Sequence, residues 1–407
     1  MDHLELLKKR GYVYQISDDK AVSDILKNPK GKSFYIGFDP TADSLHVGSM
    51  FALMTVSRLA QAGLRPIIVL GGGTGLVGDP SGKTEMRNML DLEVAKKNLK
   101  AMENQIRKII PKTPEPLFVN NIDWLGNLNL IEFLRDVGRH FSINRMLTQD
   151  SVANRLEKGG LTYLEFSYML LQAYDFVYLN KHKDCIMQIG GADQWGNMVM
   201  GMDLARRINS SDVQCFTFEL MMTATGEKMG KSAKGAIWLD PEKTSPYEYY
   251  QFWINVDDRD VKRFLYCYTY IADDEIERLV KETDIRELKN LLAFETTKIM
   301  HGEAEATKAR TASDALFGGN ASNIEGVPTF EMSSSVINAG MNAVDLMTQS
   351  GLAASRSEAR RLITGGGAYV NEEKITAMDR TIGSSDIKDG TIMLRSGKKN
   401  YLKIIVK

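Results

Sequence analysis

The sequence predicts an α/β chain in three parts: a doubly wound parallel sheet, then a helical stretch, then a small α+β module. Three observations predict it. From Lys32 onward, short β-rich runs alternate with longer helical ones, the pattern a mostly parallel sheet needs to carry each strand back across its face. After Leu220 the alternation gives way to the Gly/Lys/Ser-rich segment TATGEKMGKSAKG and then, from about Tyr247 to Phe317, to helical sequence alone. From Gly340 onward the chain carries eleven basic and seven acidic residues, a net +4, although all 407 residues together stand at −1.

Taken in order, SFYIGF (33–38) reads as a strand, and LHVGSMFALMTVSRLAQAG as a helix closed by Gly63, a favourable residue just past a helix end. PIIVL (66–70) is the next strand. DLEVAKKNLKAMENQIRKII is a long helix that Pro111 stops, because proline has no N–H to continue the ladder. LFVNN follows as a third strand, and helical patterns cover about 129–180. CIMQIGG is then a strand, DQWGNMVMGMDLARRI a helix and QCFTFEL a strand. The Gly/Lys/Ser-rich segment after it is expected to be a mobile loop, and the small, polar residues after Phe317 a linker. The tail offers a helix (AVDLMTQSGL), an Arg-rich helix, a glycine turn and closing strands.

Composition narrows the function. A net charge of −1 excludes nucleic-acid capture by a global positive field, so any RNA contact must be local. Cys185, Cys215 and Cys267 stand 30 and 52 residues apart with no C-x-x-C pair, so we expect reduced core thiols and no zinc site. The first twenty residues lack an apolar core or an Arg/Ser-rich transit pattern, and no eighteen apolar residues run together, so a cytoplasmic location with no membrane partner is expected. Two phosphate-binding patterns mislead. Gly73-Thr74-Gly75-Leu76-Val77-Gly78 has dinucleotide-loop spacing, but Asp79-Pro80-Ser81-Gly82 breaks the helix such a loop must open. Gly82-Lys83-Thr84 lacks the glycine five residues earlier that a P-loop needs; Val77 stands there. Glycines beside Lys83 and Arg87 can still cradle phosphate without being either motif.

The chemistry is expected where the first strand meets its helix. In Asp39-Pro40-Thr41-Ala42-Asp43-Ser44-Leu45-His46-Val47-Gly48-Ser49, His46 and Gly48 fall in the opening turn, where unpaired N–H groups face an anion and a glycine admits a flat ligand. A lone histidine there is ordinarily a cap. The partner segment Lys228-Met229-Gly230-Lys231-Ser232 adds two lysines and a hydroxyl, which alone would read as a solvated charge run. In LEFSYMLLQAYDF, Tyr168, Gln172 and Asp175 share one stripe of a helix that is otherwise apolar; such groups need partners, which a polar ligand or the core itself can supply.

PTADSLHVGS and KMGKS resemble the HIGH and KMSKS signatures of class I aminoacyl-tRNA synthetases. YIGFDPTADSLHVG, GLVGDPSGK, EFSYMLLQAYDF and QIGGADQWGN are similar to strings of bacterial-type tyrosyl-tRNA synthetases. The resemblance implies a Rossmann-like catalytic domain at 1–226, a signature loop and helical anticodon-side domain at 227–325, a linker at 326–339 and a small basic RNA-binding domain at 340–407. It implies that Tyr35 and Asp175 hold a phenolic hydroxyl, that Tyr168, Gln172 and Asp79 hold an ammonium group, and that Gln188 and Gln194 complete the pocket. ATP, bringing Mg²⁺, would meet Gly37, Asp39, Thr41, His46, Gly48, Gly191, Asp193 and Ser232. Thr41, His46, Lys83, Arg87, Lys228 and Lys231 would stabilise its leaving pyrophosphate. Asp193, at the end of its strand, is placed for ribose hydroxyls. The implied reaction is activation of L-tyrosine by ATP and its transfer to tRNA(Tyr), by a homodimer joined through the apolar helices near 129–160. Two positions depart from the family pattern. Ser49 replaces the second histidine of HIGH and Ile36 a common cysteine, both places that line the ribose in the family, which bears on ATP affinity; Ser49 alone leans toward the alternative, a non-catalytic RNA-binding paralogue. Arg356, Arg360, Arg361, Lys398 and Lys399 would form the RNA-binding face of the tail.

Overall fold

The β-rich runs of the first half assemble one six-stranded sheet. Its strands are β1 (Gln15–Ile16), β2 (Ser33–Phe38), β3 (Arg65–Leu70), β4 (Leu117–Asn120), β5 (Cys185–Gly191) and β6 (Gln214–Phe218), in the order β1-β6-β5-β2-β3-β4. All pairings are parallel except that of β1, an antiparallel edge. The computed structural model describes residues 2–81, 91–232, 235–317, 327–397 and 400–407. They divide into two compact units, Met1–Asp240 with Asp257–Leu279, and Pro241–Val256 with Val280–Lys407.

Helices cover the sheet because their sequences bury more than one face. Val47–Gln61 buries eleven of its fifteen residues, and Gly63, at φ +98°, follows its cap Ala62 in the left-handed conformation glycine adopts freely. Tyr163–Lys183 starts with a capping box, Thr162 and Glu165 satisfying one another's backbone N–H, worth about 1 kcal/mol. Glu165 also takes an ion pair from the buried Arg155 at 2.8 Å. The other side of that helix packs Ala173, Phe176 and Val177 against Tyr35, Ile67 and Val69 of the sheet.

Three regions differ from the sequence reading. Residues 3–27, read without elements, form helices His3–Lys9 and Asp19–Lys27 and the edge strand β1. Helix Asp258–Tyr268, expected in the second part, belongs to the first unit because the N-terminal segment holds its end. The buried Arg10 guanidinium donates to the carbonyls of Tyr266, Thr269 and Ile271, and the Tyr12 hydroxyl donates to that of Cys267 at 2.6 Å. Residues 326–339, expected as a linker, contain strand Thr329–Met332 and helix Ser334–Asn338 where they are described. The strand is drawn into parallel pairing by the C-terminal strand Asn400–Val406, whose edge it covers.

In the second unit, helices Pro246–Ile254, Ile285–His301 and Glu303–Phe317 lie together. The basic tail forms helices Ala343–Gln349 and Arg356–Thr364 over a five-stranded sheet, with Ala359 and Ile363 turned into its core. Tyr247, Ala312, Val327, Met393 and Tyr401 form one apolar cluster joining the helices to that sheet. No described helix is long and apolar enough to cross a membrane.

Candidate active site

The winding reverses between β2 and β5: β3 and β4 follow β2 to one side, and β6 follows β5 to the other. Ligands of such sheets settle outside the carboxyl ends of the strands at that point. A cleft of about 480 Å³ opens there. It is lined by Tyr35, Asp79, Tyr168, Gln172, Asp175, Gln188 and Gln194, all seven residues expected to hold the amino acid. From the expected nucleotide set it gathers Gly37, Asp39, Thr41, His46, Gly48, Gly191 and Asp193. Ile36 and Ser49, the two departures, line it as well.

At the inner end, Asp175 is fully enclosed by its neighbours. Its Oδ1 accepts from Trp124 Nε1 at 2.7 Å and its Oδ2 from Asn121 Nδ2 at 3.1 Å. Burial pushes its pKa up to about 7, with a smaller push from the charge of Asp39, while those two hydrogen bonds resist. Burial and the charge of Asp175 push the Tyr35 hydroxyl well above the ordinary tyrosine range. That hydroxyl and Gln188 Oε1 are buried without a hydrogen-bond partner, and the two residues are register neighbours on β2 and β5. Each such orphan costs about 1–3 kcal/mol in an empty site. A ligand hydroxyl at this end would remove the cost for Tyr35.

The middle of the cleft is acidic and highly connected. The Tyr168 hydroxyl donates to Asp39 Oδ2 at 3.0 Å, and Thr74 Oγ1 to Asp39 Oδ1 at 2.8 Å. Gln194 Nε2 donates to Asp79 Oδ2 at 2.7 Å, and the Ser81 N–H to Asp79 Oδ1 at 2.9 Å. Asn197 Nδ2 donates to Gln172 Oε1 at 3.1 Å and to Gln194 Oε1 at 3.3 Å. With Asp175 and Asp193, four carboxylates line one cleft, an environment that favours a cation. Asp193 itself is pushed up by burial and by Asp79, against a hydrogen bond from Gln194 and the charge of Lys228.

The two signature segments meet at the outer end. The Val47 N–H donates to the Ile237 carbonyl and the Leu239 N–H to that of Leu45, so the chain after Ser232 runs antiparallel beside His46, with Trp238 edge-on to its ring. His46 is indeed the helix cap: its Nδ1 accepts from the Gly48 N–H at 3.0 Å. In the neutral ring the proton then sits on Nε2, so the bland reading and a donating role are compatible. Both signature glycines are sterically required. A Cβ on Gly48 would come 2.8 Å from the Met229 carbonyl oxygen, and one on Gly230, at φ +88°, would come 2.7 Å from the Gly48 nitrogen. The glycines ahead of 73–78 matter in the same way: a Cβ on Gly71 would meet Asp39 Oδ1 at 2.0 Å.

The expected cations are distributed unevenly. Lys83 and Arg87 lie outside the described residues. Lys228 is exposed and does not line the cleft, although its charge reaches Asp193. The segment expected as a mobile loop carries antiparallel pairings, Met222 with Lys228 and Lys231–Ser232 with Gly235–Ala236. Its alternating backbone donors find partners close by in sequence, which a composition-based reading does not register. In the tail Arg356, Arg360 and Arg361 are exposed, Arg356 paired with Asp345 at 3.0 Å. Lys398 and Lys399 lie outside the described residues.

Sequence reasoning missed Thr74, Asn121, Trp124 and Asn197. Asn121 and Asn197 stand inside strings already singled out, LFVNN and QIGGADQWGN, so a search for buried amides near them would have flagged both. Trp124 meets Asp175 from 51 positions away, a contact that only the fold creates.

The sequence model of the family described as "tRNA synthetases class I (W and Y)" matches residues 27–318, and that of the "Tyrosine--tRNA ligase SYY-like C-terminal domain" matches 321–404. A tyrosine–tRNA ligase of Clostridium botulinum is 48% identical over 405 residues, covering 99% of this chain and 98% of the relative. One from Caldanaerobacter subterraneus subsp. tengcongensis is 46% identical over 410 residues, covering 100% of both. Among solved structures, a C-terminally truncated mitochondrial tyrosyl-tRNA synthetase of Aspergillus nidulans superposes with a TM-score of 0.69 at 30% identity, covering 78% of this chain and 94% of that one. A switch-point cleft with two interlocked signature segments, matched along the whole chain to such relatives, places this protein in the class I aminoacyl-tRNA synthetase family, on its bacterial-type tyrosyl branch.

Proposed function

We infer that this chain is a tyrosine–tRNA ligase: it activates L-tyrosine with ATP to tyrosyl-adenylate and pyrophosphate, then transfers tyrosine to the 3′ end of tRNA(Tyr). The observation that carries the reading is the unpartnered Tyr35 hydroxyl at the buried end of the cleft, beside Asp175. A para-hydroxyl supplies the missing hydrogen bond; phenylalanine leaves the polar groups buried and unpaired. Asp79, Tyr168 and Gln172 then hold the substrate ammonium, in a middle section rich in carboxylates, and Gln188 and Gln194 close the pocket.

The tyrosine carboxylate is ionised at neutral pH and attacks the α-phosphorus of ATP directly. A P–O bond forms as the bond to the pyrophosphate oxygen breaks, with no proton to move. The work of the protein is therefore alignment and charge stabilisation. Thr41 and His46, the latter through Nε2, meet the phosphates. Lys83, Arg87, Lys228, Lys231 and Ser232 take up the charge on leaving pyrophosphate, and Mg²⁺ travels with the nucleotide. Gly48 admits the adenosine, Gly37, Asp39 and Gly191 border it, and Asp193 takes ribose hydroxyls. In the second step a ribose hydroxyl of the terminal adenosine of tRNA attacks the tyrosyl carbonyl, the carbonyl carbon–phosphate oxygen bond breaks, and AMP leaves as the hydroxyl proton passes to its phosphate. Arg356, Arg360 and Arg361, with Lys398 and Lys399, are the proposed RNA contacts of the tail.

We further propose a homodimer, supported by a run of exposed apolar side chains in the helices where a partner was expected: Leu130 at 67%, Ile131 at 70% and Ile143 at 57% exposure. Ile131→Asp should yield monomers in sedimentation. Buried, free Cys185, Cys215 and Cys267 suit a reducing compartment, which we take to be the cytoplasm. Tyrosine-dependent exchange between ATP and labelled pyrophosphate tests the central reading; folded protein that catalyses no exchange would return the case to an RNA-binding paralogue.

A further inference from the structure

We propose that Asp260 and Arg263, two residues outside the active-site cleft, form a clamp that positions Lys228 for the activation step. The second signature opens on a tight hairpin. The Met229 N–H donates to the Met221 carbonyl at 2.9 Å and the Thr223 N–H to that of Glu227 at 2.8 Å, with Met222 facing Lys228. The two arms therefore move as one body, and holding one arm sets the place of Lys228 on the other.

The first arm is held from helix Asp258–Tyr268. Asp260, 2% exposed, accepts the Ala224 N–H on Oδ2 at 2.7 Å and pairs through Oδ1 with Arg263 at 2.6 Å. Arg263 in turn donates to the Met222 carbonyl. One carboxylate and one guanidinium thus grip two backbone groups of the hairpin and each other. Charge-assisted bonds of this kind are the stronger and more directional class. Packing supplies less of the hold here, because a cavity of about 520 Å³ reaches between Met221, Met222 and Arg263. The helix is itself anchored by Arg10, whose guanidinium takes three carbonyls at its end. The line of support runs from the N-terminal segment through the helix to the hairpin, and the Lys228 charge already reaches Asp193 across the cleft mouth. Asp260 and Arg263 touch no substrate in this scheme; they act through Lys228.

The proposal rests on the reading of Lys228 as a phosphate-side cation, and a double-mutant cycle on the full-length protein separates the two. Misplacing a cation by about 1 Å costs on the order of 10- to 100-fold in rate. Asp260→Asn should lower tyrosine-dependent ATP–pyrophosphate exchange by about that factor with the KM for tyrosine unchanged. In a Lys228→Ala background the same change should cost less than about threefold, because coupled residues are not additive. Arg263→Ala, at a side chain 45% exposed, provides the same cycle should Asp260→Asn fail to fold. Equal losses in both backgrounds, or a raised KM for tyrosine with the rate kept, would assign Asp260 a merely structural role and overturn the clamp. A Lys228→Ala protein that exchanges at full rate would overturn the Lys228 assignment and the clamp with it. Loss on Lys228→Ala beside an unaffected Asp260→Asn would remove the clamp alone.

Discussion

The inner and outer ends of the cleft are built in different ways. Around Asp175, Asn121 and Trp124 bond its carboxylate, and Tyr35 of β2 and Gln188 of β5 stand buried beside it with polar atoms left unpartnered. Around Lys228, the hairpin backbone takes the bonds, from its own strands and from the Asp260 and Arg263 side chains, and the lysine side chain stands in solvent. The difference follows from the tasks. Recognising a neutral hydroxyl requires desolvated partners fixed before the ligand arrives, since a loose or wet pocket would let solvent replace the missing bond. Neutralising pyrophosphate requires strong charge that must also let a product go, and that is the role proposed for the cations of the solvated hairpin.

Substitutions at the two ends should therefore fail in different ways. The largest effect is expected from Asp175→Asn, which sets an amide NH2 against the Trp124 or Asn121 donor: tyrosine affinity in equilibrium dialysis should fall by about 100-fold or more. Lys231→Ala should lower the activation rate by about 100-fold while tyrosine affinity stays nearly intact; a large loss of amino-acid affinity would erase the contrast between the ends. Tyr35→Phe sharpens it. Removing a buried hydroxyl without a partner should leave the free protein equally stable or up to about 1 kcal/mol more stable, while discrimination against phenylalanine falls about 10- to 100-fold.

A smaller effect comes from pH. Asp175 titrates near 7 in the free protein, raised from 3.8. A folded carboxyl with a raised pKa takes up a proton on folding, so its contribution makes stability fall as pH rises from 3.8 to about 7. If the ionised form accepts the phenol proton, tyrosine affinity should weaken as pH falls below about 7, and Asp175→Asn should abolish that dependence. Titration calorimetry across that range reads the affinity, and thermal unfolding at the same pH values reads the stability. The smallest change is expected at the tail, where Arg361→Ala should weaken tRNA binding severalfold and reduce its salt slope by about one, with exchange untouched.

Most of the cleft was legible because its residues sit in short strings at element ends. Tyr35 and Gln188 fall in strands, Asp39 to Gly48 in one strand–helix turn, and Tyr168, Gln172 and Asp175 on one helical stripe. Local periodicity thus places each string, and the resemblance supplies the roles. Residues 3–27 escaped notice because their elements are short, and β1 exists only by pairing with β6, some 200 positions away. The strand at Thr329–Met332 is similar: its small, polar neighbours read as a linker, and only the free edge of Asn400–Val406 makes it a strand. The helix Asp258–Tyr268 lies in a stretch read only as helical, and its grouping with the first unit rests on long-range contacts such as those of Arg10, which sequence spacing does not reveal.

The sequence by itself determined which residues are apolar enough to be covered, roughly where the central strands and the longer helices of the sheet region lie, and which polar groups gather at the turns between them. These depend on neighbours within a few positions, through periodicity, capping and the special backbone of glycine and proline. The tertiary structure alone decided that Trp124 and Asn121 hold Asp175, that Asn197 joins Gln172 to Gln194, and that Asp260 and Arg263 grip the hairpin bearing Lys228. Most of these bonds join groups that chain order separates, and those to Asp175 gain strength from the low-dielectric surroundings that exist only once the sheet and its helices have closed around them.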